Sequence, residues 1–157
     1  IELLIVIAII GIIAATLIPN LIDAMQKTKQ KRTVGEMNIV GTAMMSWLTD
    51  QAGAAAAGAA STIDLGDFAA ISATSLETAL QPIYLQELPK KDGWKTPYDY
   101  YLNVNHPQGL KVMAIRSLGR DKASEGDVFT PGGFTPTEYD HDIVWTDGFF
   151  VRWPEKN

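Results

Sequence analysis

Six carboxylates crowd one stretch of the C-terminal half: Asp121, Glu125, Asp127, Glu138, Asp140 and Asp142. Hard oxygen ligands gathered in one connection suit calcium and do not suit zinc, which prefers nitrogen and sulfur. The spacing is not that of an EF-hand. Counting from Asp121, Gly126 takes the sixth position, but Ala123 stands where a ligand is needed and Gly132 where the bidentate Glu would be. A solvated acidic surface loop has the same composition, so both readings stand. His141, between Asp140 and Asp142, is a ligand, part of a dyad, or a hydrogen-bonded surface histidine, the last being the default. His106 lies apart from it. The chain has no Gly-x-Ser-x-Gly, phosphate loop or dinucleotide fingerprint, and its 0 cysteines exclude disulfides, thiolate catalysis and Cys-ligated zinc. No enzyme is expected.

The elements that position this loop begin at the other end of the chain. Of 157 residues, 46% are hydrophobic and 20% charged, an ordinary globular average that hides a strong asymmetry. Leu3 to Ile18 carries no charge, and Glu2 is the one charged residue before Asp23. The basic cluster Lys27, Lys29, Lys31 and Arg32 follows, giving net +2 up to Arg32, against −7 for the remainder and −5 in total. An acidic body argues against nucleic acid as a partner. The basic cluster is a solvated helix face, or a contact with anionic headgroups or with acidic neighbours.

The apolar run is slightly short for a membrane span of about 20 residues. A signal peptide would need a basic lead; none precedes the run and Ile stands first, so the segment is expected to survive in a processed chain. A soluble core helix would not be apolar on every side. A membrane helix later buried against copies of itself would. Glu2 is then either an interfacial carboxylate or a functional one. Met37, Val40, Met44 and Trp47 keep helical spacing, so one helix is expected to run to about Asp50, weakened between Gly11 and Pro19. A break in the helix is expected there, once neighbouring helices shield the backbone.

The fold class expected is α+β. Residues 1–50 form the helix (1–22 membrane or filament core, 23–50 amphipathic), and 51–157 a head with a small antiparallel sheet. The alanine-rich QAGAAAAGAAS reads as a loop. A short helix lies within Ser72 to Leu88 on Leu76, Leu80 and Tyr84. Strands are expected over Tyr98–Val104 and Leu110–Ser117, and a hairpin where Ile143–Trp145 and Phe149–Val151 flank Asp147-Gly148. Trp94, Trp145 and Trp153 are core or interface residues by default, with an exposed recognition patch as the alternative.

IELLIVIAIIGIIAATLIPNL closely resembles the N-terminus of type IV pilins and type II secretion pseudopilins. Their mature chains start with a methylated Phe and Thr-Leu-Ile-Glu, which makes Ile1 the fourth residue, with Phe-Thr-Leu absent here. The resemblance implies assembly roles for Glu2, Gly11 and Pro19. LPKKDGWKTPYDYY is similar to the Leu-Pro-x-Asp-x-Trp-Gly-x-Pro-Tyr-x-Tyr stretch of major pseudopilins, SLGRD to their Ser-Leu-Gly-x-Asp, and Asp140-His141-Asp142-Ile143 to their Asp-Ala-Asp-Ile. The intervening KASEGDVFTPGGFTPTEY is longer than in that class, and the aromatic hairpin is an addition. The resemblance implies calcium in this loop, held by Asp121 and the Leu118 carbonyl, with Asp127, Asp140 and Asp142 as further candidates. It implies a structural subunit, a major pilin that polymerises with itself into a pilus-like extracellular filament. The subunit would wait in the inner membrane for the pilus or secretion machinery, then move to the cell surface. The alternatives are a major pseudopilin building a periplasmic pseudopilus for type II secretion, and a membrane-anchored calcium-binding or recognition module that never polymerises.

Overall fold

The computed structural model describes residues 1–52, 63–105 and 111–155. The fold is α+β, a long N-terminal helix carrying a six-stranded sheet. Most of the alanine-rich segment, His106, and the start of the second expected strand at Gly109 and Leu110 lie outside the described residues.

Helix α1 spans Glu2–Ala52, 51 residues or about 76 Å. It passes through Gly11 and Pro19 without interruption, so the expected break is absent from the single chain. The reason is local bookkeeping of hydrogen bonds. Pro19 removes one backbone bond, whereas melting Gly11 to Pro19 would give up several. The space around Gly11 is open, with no packed atom to force a distortion.

The second half of α1 buries Met37, Val40, Met44, Trp47 and Leu48, the expected stripe, against the sheet. A close approach makes this possible: a Cβ on Gly41 would stand 2.5 Å from the Trp145 ring, so only glycine lets the indole lie on the helix backbone.

The head continues with β1 (Ile63–Asp64), a 3-10 turn at Leu65–Asp67, β2 (Ala70–Ile71) and α2 (Ala73–Leu80). Ser72 caps α2 by accepting from Ser75 N, and Pro82 follows directly after the C-cap Gln81, which makes the helix shorter than its apolar spacing suggests. Tyr84 still packs on the core from beyond the helix end. Strands β3 (Asp99–Leu102), β4 (Met113–Ser117), β5 (Val128–Phe129), β6 (Gly132–Phe134), β7 (Ile143–Thr146) and β8 (Phe149–Pro154) complete the chain. The main sheet runs β2-β3-β4-β7-β8-β6, and β5 pairs with β1 separately. All pairings are antiparallel except β6 with β8, which is parallel and was not expected. The β7–β8 hairpin turns at Asp147 and Gly148, both with positive φ (40° and 106°), the turn that Asp-Gly favours. Asp147 Oδ1 also accepts from Val112 N and Met113 N, locking the turn to β4.

The Pro89–Tyr100 stretch clamps head to helix. Gly93 N donates to Thr33 Oγ1 (2.9 Å), Trp94 Nε1 to Gln26 Oε1 (2.7 Å) and the Tyr98 hydroxyl to Glu36 Oε2 (2.8 Å). Buried Asp92 organises the loop, accepting from Trp94 N, Thr96 N and Ser117 Oγ. Trp94 and Trp145 are thus core residues, and Trp153 is half-buried.

Candidate functional site

Two regions are unusual for a lone folded chain. The first is the leading part of α1. Leu3 is 76% exposed and Ile10 60%, and large apolar side chains through Met25 are exposed to similar degrees. The most apolar window of this helix has mean hydropathy 2.6 and none of it is buried. Glu2 to Ile22 measures about 31 Å, the thickness of a bilayer's hydrocarbon core of about 30 Å. Glu2 lies in the first turn, where the helix dipole favours a negative charge. Beyond this segment the helix turns polar. Lys27 pairs with Asp23 at 3.0 Å and Arg32 with Glu36 at 2.7 Å, both one turn apart, and the Tyr139 hydroxyl donates to Asp23 Oδ1 at 2.6 Å.

The second region is the long connection from Leu118 to Asp142. Two arginines organise much of it. Arg116, on β4 and 9% exposed, faces Asp99 across the β3–β4 register. Its Nε and Nη2 reach Asp99 Oδ2 at 2.9 and 2.8 Å, while Nη1 donates to Ser124 Oγ, Gly126 O and Asp127 Oδ1, each at 3.0 Å. Arg120 binds both oxygens of Asp140, at 2.8 and 2.6 Å, and holds that carboxyl below the usual carboxylate range. Asp127 and Asp140 are therefore committed to guanidinium partners. Asp121 Oδ1 accepts from Ala123 N at 3.0 Å, closing a local turn.

Asp142 differs from all of these. It is fully buried; Oδ2 accepts from Glu125 N at 3.2 Å, and Oδ1 has no hydrogen-bond partner. Burial pushes its carboxyl up to about 6, the Glu125 N–H and Arg116 pull it down, and the charges of Glu125 and Asp121 push it up again. Glu125 returns the contact, accepting from Asp142 N at 3.1 Å through Oε2 and meeting His141 Nδ1 at 2.6 Å through Oε1. Glu138 stands 3.7 Å from His141 Nε2. Leu118 is half-buried, and the chain beside it is tied to the far end of the loop by Arg120 N donating to Tyr139 O at 2.8 Å.

Among the described residues no three His, Asp or Glu side chains converge as a metal cluster. The six loop carboxylates thus divide between arginines, a local turn, His141 and Asp142's buried position. Sequence reasoning missed Arg116 and Arg120. The Asp99–Arg116 pair was open to discovery, because opposite charges at facing positions of paired strands are a recognised signal once the register is drawn.

No family model matches this chain, and neither a curated protein nor a solved structure matches it.

Proposed function

We propose that this chain is a filament subunit whose apolar helix first spans a membrane and then packs against the same segment of other copies. The observation that supports it most is the uncovered apolar half of α1 projecting from a folded head. In hydrocarbon such a helix is stable because every backbone bond is internal. Lipid tails and partner helices are similarly apolar, so transfer between them turns on close packing and costs little in hydration. The resemblance of residues 1–21 to type IV pilins and pseudopilins points the same way. It makes an extracellular pilus the leading assembly and a periplasmic pseudopilus the runner-up. Electron microscopy of sheared cell surfaces separates them: long fibres of this chain support the pilus, and their absence under native expression favours the secretion role. Glu2, buried in such a core, requires a positive partner, because an isolated buried charge is strongly destabilising. Glu2→Ala is expected to insert into membranes normally and to lower fibre yield; normal fibre yield contradicts the pairing.

The reading includes a calcium site in the head, supported by the unpaired, fully buried Oδ1 of Asp142. Asp142, Asp121 and the Leu118 carbonyl are the groups that would hold the ion, an all-oxygen set suited to calcium. The ion would supply positive charge beside a carboxylate that burial otherwise penalises. Asp127 and Asp140 are left out of this set, because Arg116 and Arg120 already neutralise them.

A further inference from the structure

Successive hydrogen bonds tie the head to α1, from Tyr139 to Asp23, from Trp94 to Gln26 and from Gly93 to Thr33. The first tie stands directly after Ile22, where the apolar segment ends, and one turn past Pro19, which weakens the helix. The other two come from the Pro89–Tyr100 stretch, whereas this one comes from the acidic loop.

Tyr139 is 5% exposed and is held at three points. Its hydroxyl donates to Asp23 Oδ1 at 2.6 Å, its carbonyl accepts from Arg120 N at 2.8 Å, and the Arg120 guanidinium lies 5.8 Å from the centre of its ring. Tyr139 and Lys27 hold the Asp23 carboxyl below its usual range, so the bond to the hydroxyl is charge-assisted at neutral pH. Behind Tyr139 the two ends of the loop touch. Gly119, with φ 67°, has no room for a Cβ, which would stand 2.8 Å from His141 O and 2.9 Å from Tyr139 O. The groups that would hold calcium flank this neck in the sequence, Leu118 and Asp121 on one side and Asp142 on the other.

We propose that Tyr139 is a strap through which calcium in the loop tightens α1 where the helix leaves its apolar segment. This rests on the calcium reading given above. An ion that fixes both sides of the neck also fixes the backbone that carries Tyr139. The Asp23 bond then forms between groups already ordered, at a smaller cost in conformational entropy. Without the ion the strap opens more often. The first firm tie then moves three residues on, to Gln26, about 4.5 Å farther along the helix.

Hydrogen exchange of the full chain in mild detergent, with calcium and with a chelator, tests this. In wild type, calcium is expected to slow exchange in the loop, over residues 118–130, and at the helix amides of residues 24–29. The helix effect should be about tenfold, as one charge-assisted hydrogen bond allows. In Tyr139→Phe and in Asp23→Ala the loop should still respond and the helix should not, while Met37–Leu48 exchanges as in wild type. Coupling is reciprocal, so Tyr139→Phe should also weaken calcium binding by the same factor, read as the midpoint of loop protection. Three results would overturn the strap and leave the calcium site standing: a helix that ignores calcium while the loop responds, an equal helix response in Tyr139→Phe, or an unmoved calcium midpoint in that variant. A loop that ignores calcium overturns both.

Discussion

The two halves of α1 share one continuous backbone, yet Ile10 is 60% exposed and Met44 is fully buried. In the second half, apolar residues recur at three- and four-residue steps, and a sheet from the same chain covers the stripe they make. In the first half they occupy every side, so no single sheet face could cover them. The contrast shows that apolar content alone does not specify a core. Periodicity decides whether the covering surface comes from the chain itself or from outside it.

The sharpest way to break this comparison is to damage the covered half. Met44→Ala should destabilise the head by about 2–5 kcal/mol, through lost burial and the cavity left behind. Urea unfolding followed by Trp fluorescence measures this, and vesicle flotation should be unchanged. The mirror experiment places a charge in the uncovered half. Ile10→Lys should cost about 3 kcal/mol of membrane insertion while the unfolding midpoint of the head stays within error. Coupled losses in either variant would mean that the halves do not stand apart.

A third measurement concerns Asp142, buried like Met44 but with one carboxylate oxygen unpaired. Its folded pKa, about 6, is raised above the ordinary value of 3.8, so the fold favours the protonated form. The sign follows: stability from this group is full below about pH 4 and is lost as pH rises through 6. Asp142→Asn should match wild type near pH 4 and exceed it at pH 7 by up to about 3 kcal/mol when a chelator is present. Added calcium should shrink that advantage at pH 7 by stabilising wild type alone. A difference independent of pH and calcium would remove both the raised pKa and the ion.

Much of this architecture is legible in the sequence because local rules govern it. The Met37–Trp47 stripe needs only helical spacing, and the β7–β8 hairpin needs only Asp147-Gly148 between two aromatic and aliphatic runs. The parallel β6–β8 pair was not legible. Gly132 and Gly133 carry no alternating pattern, and their partners Arg152 and Trp153 lie about twenty residues away. The loop was half legible. Composition identified the acids, but Arg116 meets Asp99 through the β3–β4 register and Asp127 through the path of the loop, neither of which composition reveals. The break expected at Gly11 to Pro19 belongs to a packed filament, whose neighbouring helices would shield the backbone; the single chain runs through it as one helix.

The order β2-β3-β4-β7-β8-β6 has a consequence for crowding. Polymerisation would hold heads side by side at concentrations where open strand margins template cross-β growth. One margin here is two residues long, Ala70–Ile71, and the other is Gly132–Phe134, beginning just after Pro131. Short strands and a flanking proline give an incoming chain too few free backbone groups to propagate a ladder. In a filament such margins would let neighbouring heads pack closely without joining into one sheet.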